Sequence, residues 1–229
     1  MELPVVRIAE PDTVRLVASA RLRDPVLLKL ANDKSQLDDL AEIEGATSGR
    51  LQAQKHGTVE IEPQELVAVV PHAHFINAAF SYWLPRSLNR FNGPGRGAWY
   101  AALKVETCLA EVIFHMNREL MRVNDFNATV EYVEMFAAFA GDFVDLRQTD
   151  RDSACLSADI GIGYPAGNVV AEMARRAGHN GVIYPSVRHK GGTCLVALQP
   201  KAVQSVVQGG VMRVVWQGNV EPSIVRASQ

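Results

Sequence analysis

The sequence predicts a mixed α+β fold built on a mostly antiparallel sheet, and three observations predict it. The segment VETCLAEVIFHMNRELMRV carries Leu109, Val112, Ile113, Met116 and Leu120 at helical spacing. Downstream, ATVEYVEMFAAF and GDFVDLR follow one another as strand-like runs with no helix between them. GVIYPSV and GTCLVALQP are two further strands joined by RHKGG, a hairpin-like loop. Strands that helices do not separate regularly argue against a parallel doubly wound sheet.

The elements follow in order. Residues 1–60 read as a helical N-terminal extension. DPVLLKLAND has Asp24 as N-cap and Pro25 at the first helical position. KSQLDDLAEIEGATSGRLQAQKHG continues as charged amphipathic helix, broken near Gly45, with Leu37, Leu40, Ile43 and Leu51 as a narrow apolar stripe. HGTVEIEPQE is polar and turn-rich and is the best place for an internal boundary, with residues 61–229 as the second unit. ELVAVVPHAHFINAAFSYW holds short apolar runs suited to strands. LPRSLNRFNGPGRG is a loop punctuated by Pro85, Gly93, Pro94, Gly95 and Gly97. AWYAAL reads as a strand leading into the long helix. AGNVVAEMARRAGHNG reads as a short helix burying Val169, Val170, Met173 and Ala177 and stopping at Gly178. VMRVVWQG is a last strand.

Composition narrows the function classes. The 229 residues carry 23 basic and 25 acidic side chains, a net charge of −2, with 48 % hydrophobic and 21 % charged residues. That is the balance of a globular chain with a sizeable core. It lacks the basic excess of a direct nucleic-acid binder. No apolar run approaches the ~20 residues that span a bilayer, and the first residues lack a secretory h-region, so a cytoplasmic protein without membrane contact is expected. Cys108, Cys155 and Cys194 are few and far apart, without metal-ligand spacing, so reduced thiols and no metal are expected.

Several residues are candidates for chemistry. GPGRG is not the dinucleotide fingerprint, because a strand rather than a helix follows it. Its plain reading is a glycine loop before a strand. Arg86, Arg90 and Arg96 around it carry guanidinium groups shaped for bidentate contact with a pyrophosphate, although such arginines are commonly solvated. With Leu109 as zero, the apolar helix stripe covers roughly −60° to +40°, and Glu111 falls near about 200°. It points away from the main core, as a solvated glutamate or as the wall of a cleft. Phe114, near about 140°, is an apolar neighbour on that side, and His115 is close by. Ser186, at a strand end before a glycine turn, is placed to cap the turn or to bind a ligand. His72 and His74, two apart, fall on one side of a strand without a third ligand, so no metal is expected there.

Together these pieces resemble the RES-domain family. RFNGPGRGAWYAALKVETCLAEVIFH is similar to its central signature, and NGVIYPSVRHKGGTCLVALQP to its C-terminal one. The arginine, glutamate and serine that give the family its name map onto Arg90, Glu111 and Ser186, and its strand tyrosine onto Tyr100. Asn92 matches the asparagine beside the arginine. The resemblance covers roughly residues 65 to 205 and rests on two signatures in order. A signature arginine about ninety residues in, behind a helical extension, departs from compact members.

The resemblance implies an ADP-ribosyltransferase-like split, mostly antiparallel sheet with flanking helices around an NAD cleft. It implies a toxin of a bacterial toxin–antitoxin pair, inhibiting growth by breaking the nicotinamide–ribose bond of NAD⁺. ADP-ribose then passes to water, phosphate or an acceptor protein. NAD⁺ is consumed as substrate and no cofactor is needed. The implied partner is an antitoxin with an Xre-like helix-turn-helix domain, in an oligomeric complex. In this scheme Glu111 stabilises an oxocarbenium-like ribose or orients the nucleophile. Arg90 clamps the pyrophosphate with Asn92 beside it. Tyr100 offers a stacking face or a hydroxyl, and Ser186 bonds the nicotinamide-ribose end. Two other readings stay open: a protein mono-ADP-ribosyltransferase acting on one host protein, and a non-catalytic nucleotide-binding or interaction module.

Overall fold

A computed structural model describes residues 3–22, 61–81 and 88–226. These residues form seven strands: β1 (Val5–Ala18), β2 (Trp99–Ala102), β3 (Asn127–Asp145), β4 (Gly181–Pro185), β5 (Thr193–Ala197), β6 (Val203–Gln217) and β7 (Ser223–Arg226). They also form helices α1 (Ala73–Ser81), α2 (Val105–Val123) and α3 (Ile160–Arg176). The strand order is β1–β2–β5–β4–β3–β6–β7, and β1 also pairs with β3, so the first five close into a ring. Every pairing is antiparallel except β3–β4. The mixed α+β fold with a mostly antiparallel sheet is therefore as the sequence predicts.

The two runs ATVEYVEMFAAF and GDFVDLR are one strand. β3 pairs with β6 from Asn127 to Phe139, then with β4 from Phe143 to Asp145, while β1 lies along its other edge. Gly141, at φ 131°, sits at this hand-over. A Cβ there would clash with the side chain of Asn180, whose Oδ1 accepts from the Asp142 backbone N–H at 3.0 Å.

Three expectations are corrected. Residues 1–60 are not wholly a helical attachment, because residues 5–18 are β1, paired with β3 over Val5↔Val144 to Ala18↔Tyr132. A boundary at residue 60 would cut through this sheet. Pro11 disguises the strand: it falls in the register shift between Glu10 and Thr13, where a bulge tolerates a residue without an N–H. The helices expected over residues 24–57 lie outside the described residues. Second, α1 stands where short strands were expected. Ile76 and Phe80, four apart, are both fully buried against the sheet, so the apolar run packs at helical period, and His72 and His74 lie at its start. Third, α3 begins six residues before Ala166, at an N-cap Asp159 whose carboxylate accepts from the Gly161 N–H at 2.7 Å. Pro165 lies inside the helix rather than before it.

The core has two clusters, one on each side of the sheet. Val144, Val182, Val196 and Trp216 pack beneath α2 and α3. Phe139, Phe143, Ile183 and Leu195 pack with Ile76 and Phe80 of α1. The three cysteines are buried and free, and no helix among the described residues is long and apolar enough to cross a membrane.

Candidate active site

β1 and β2 share a single register pair, Val14↔Ala102. A cleft of about 520 Å³ is lined by both strands beside this short seam. On one side its wall is apolar, from Phe75 and Ala79 of α1, Trp99 and Met135. On the other it holds Arg90, Tyr100, Glu111, His115 and Tyr164.

Helix α2 delivers Glu111. Leu109, Val112, Ile113 and Met116 pack toward the core and Leu120 is buried, so the opposite face meets the cleft. Asn124, left-handed at φ 54°, ends the helix. Glu111 is thus turned from the core, as its angle predicts, yet it is not solvated. Ser186, at the end of β4, donates its hydroxyl to Glu111 Oε1 at 2.9 Å. Ser186 in turn accepts from the backbone N–H groups of Arg188 (3.1 Å) and His189 (3.0 Å), which fixes that donor's direction. Burial raises the Glu111 pKa, against the opposing pull of Ser186, Arg188 and Arg90.

Arg90 is 6 % exposed, and its Nη1 donates to the carbonyls of Cys155 (2.7 Å) and Ser157 (3.0 Å). Its guanidinium lies 5.5 Å from the Tyr164 ring centroid. Gly163 and Gly167 of α3 make this possible, because a Cβ at either would press on Arg90. The Tyr100 hydroxyl donates to Asn92 Oδ1 and accepts from the Phe91 N–H, both at 2.9 Å. Asn92 Nδ2 donates to the Arg96 carbonyl at 3.0 Å. Tyr100 and Asn92 therefore hold the glycine loop, which leaves the Tyr100 ring, rather than its hydroxyl, to the cleft.

The five residues singled out in the sequence, Arg90, Asn92, Tyr100, Glu111 and Ser186, thus meet around one cleft. Arg96 stands apart: it forms a two-pronged ion pair with Glu65 and also donates to the Leu198 carbonyl at 3.1 Å. Its guanidinium holds the Glu65 carboxyl below its usual range. Arg86 lies outside the described residues. Among the described residues no three His, Cys, Asp or Glu side chains gather as a metal site.

Sequence reasoning missed Arg15. It projects from β1 into the cleft, its guanidinium 4.9 Å from the Trp99 ring centroid. The alternation Val14–Arg15–Leu16, with Val14 and Leu16 buried, is the strand signal that could have found it.

The comparison with known families decides the kinship. A family model of the RES domain matches residues 65–217, two thirds of the chain and every candidate above except Arg15. The chain belongs to the RES-domain family. No curated protein matches it. Among solved structures, this RES protein is similar to a chain in the crystal structure of the M. tuberculosis MbcT–MbcA toxin–antitoxin complex. The two are 14 % identical over 90 % of this chain and 86 % of that one, with a TM-score of 0.43.

Proposed function

We propose that this RES protein is an NAD⁺-consuming toxin that breaks the nicotinamide–ribose bond. The observation that carries the reading is Glu111, a carboxylate set in the cleft with Oε1 fixed by Ser186. Breaking the bond sends the electron pair out on neutral nicotinamide and leaves the ribose oxocarbenium-like. Ionised Glu111 stabilises that positive charge, and the Ser186 bond removes the need to reorient it as charge develops. The Tyr100 ring supplies an apolar face for the pyridine. Arg90 and Arg15 flank the path of the dinucleotide, and the Trp99–Phe75 wall suits its adenine end. Membership of the RES family supports the same reading.

An enzyme that destroys a central cofactor needs restraint in its own cell. In this reading an antitoxin supplies it by occluding the cleft, with an anionic segment opposite the arginines. Incubating the purified protein with NAD⁺ tests the chemistry: nicotinamide is released by wild type and not by Glu111→Gln. Equal release by a folded Glu111→Gln protein overturns it. Induced expression in bacteria tests the toxicity: wild type arrests growth and Glu111→Gln does not. Normal growth with active, soluble protein overturns that part.

A further inference from the structure

Helix α3 keeps its small residues inward and turns large ones out. Ile162, Val169 and Met173 are 53 %, 61 % and 38 % exposed. With the half-buried Ala166 they are spaced four, three and four residues apart. At 100° per residue that sets all four in one stripe about 60° wide. No charged side chain occurs from Ile160 to Ala171, although the solvated face of a helix ordinarily carries charge. The charges stand at the two ends instead. Asp159 caps the N-terminus, with Oδ1 taken by the Gly161 N–H, and forms no ion pair among the described residues. Arg176, in the last turn, donates its Nε to Glu172 within the helix at 2.7 Å, and its side chain is 80 % exposed.

This pattern is complementary to itself. When α3 is laid antiparallel on a second α3, with the twofold axis between Gly167 and Asn168, Ile162 faces Met173 and Ala166 faces Val169. The same register brings Asp159 of each copy to Arg176 of the other, so opposite charges close both ends of the apolar seam. It also sets the two helix dipoles antiparallel. A parallel pairing would instead put Asp159 against Asp159 and Arg176 against Arg176. The spacing of four, three and four residues is that of helices packed at a shallow angle. The chain's own residues 23–60 are placed less well to cover this face. They begin after Leu22 and end before Ile61, which both pack with the Phe139–Leu195 cluster, whereas α3 packs on the Val144–Trp216 cluster across the sheet.

We propose that the outer face of α3 docks a second copy of this chain, α3 against α3, antiparallel about a twofold axis. Ile162, Val169 and Met173 supply the apolar seam, and Asp159 and Arg176 fix its direction. A twofold contact of this kind is closed, so association stops at the dimer. A single helix pair buries less than the ~800 Å² per partner of a standard interface. The dimer is therefore weak, with a dissociation constant on the order of 10⁻⁵ M. The docking does not depend on the NAD⁺ reading, because no residue of the seam lines the cleft.

Sedimentation of the full chain from about 1 to about 300 µM tests the association. The wild-type mass should pass from monomer to dimer across that range. Val169→Lys sets two ammonium groups beside the axis and should weaken the dimer at least about tenfold. Its circular dichroism, and its urea stability below the dissociation constant, should match those of wild-type monomer. Arg176→Glu should weaken the dimer about threefold or more at low salt, and this difference should fade at about 1 M salt. Cross-linking tests the register without any charged substitution. Ile162→Cys mixed with Met173→Cys should form a disulfide between copies under mild oxidant, while the three native cysteines stay buried. Neither variant should link to itself, because like positions lie ~16 Å apart along the axis, beyond the ~7 Å that a disulfide spans. Monomer mass at every concentration, or a dimer that Val169→Lys leaves intact, overturns the docking, whether or not the protein cleaves NAD⁺. Absence of the mixed cross-link, or equal linking of Ile162→Cys to itself, overturns the antiparallel pairing.

Discussion

Helix α2 meets the sheet through Leu109, Val112, Ile113 and Met116, whereas α3 meets it through Ala171 and Ala174 and sets Gly163 and Gly167 against Arg90. The outward faces differ in the opposite sense. α2 turns Glu111, His115 and Arg118 outward, while α3 exposes Ile162, Val169 and Met173. α2 packs on the strands with large aliphatic side chains and gives Glu111 and His115 of its other face to the cleft. Small residues let α3 approach until its backbone walls in a buried arginine. Apolar content alone therefore misjudges which face of α3 is inside. Volume at the contact decides it.

The largest expected effect breaks the polar face of α2. Glu111→Gln should lower nicotinamide release by ~10²–10³. It should also raise stability, and the sign follows from linkage. The folded pKa of Glu111 is raised, so the folded state holds the proton more tightly than the unfolded one. Ionisation penalises the fold as pH rises through the unfolded value, and in full above the folded one. Glu111→Gln should therefore melt above wild type at pH 7 and with it near pH 4. A gap of equal size at both pH values would contradict this account. The acid limb of the wild-type rate profile should lie above the ordinary glutamate value of 4.5.

Gly167→Ala attacks the close approach of α3. The added methyl meets the backbone carbonyl of Arg90, so the variant should lose ~1–3 kcal/mol in urea unfolding, with activity falling as Arg90 shifts. Glu65→Gln marks where that influence ends, because Arg96 in the same glycine loop is held from elsewhere. The partly exposed pair should contribute ~1–2 kcal/mol. The Glu65 pKa is depressed, so this stability is present above the unfolded value and is lost as pH falls through the folded one. Wild type and Glu65→Gln should converge in acid. Val169→Lys, on the outer face of α3, should change stability by less than ~0.5 kcal/mol by the same urea titration.

Legibility followed the kind of contact. Helix α2 and the β4–β5 hairpin announce themselves, the first by aliphatic period and the second by its glycine turn. The positions Arg90, Tyr100, Glu111 and Ser186 were readable because two signatures fix their order along the chain. Their partners were not. That the Tyr100 hydroxyl holds Asn92, or that Ser186 bonds Glu111 across 75 residues, depends on side-chain directions that spacing does not encode. β1 was hidden by Pro11 at its bulge. The early start of α3 was hidden by Pro165, which reads as a boundary and sits within the helix. Arg15 went unseen because its strand did.

The pairing of β1 with β3 has a consequence for the protein's birth. Thr13 and its partner Ala137 are separated by 124 residues, so the wall that carries Arg15 cannot close until the chain has been translated past Ala137. At ordinary elongation rates β1 waits on the order of 10 s after leaving the ribosome. On the proposed function, the nascent chain cannot act through that interval, because the strand that carries Arg15 is not yet paired with β3 and the cleft is not closed. On the same reading, a partner made in the same burst of translation gains that much time to fold.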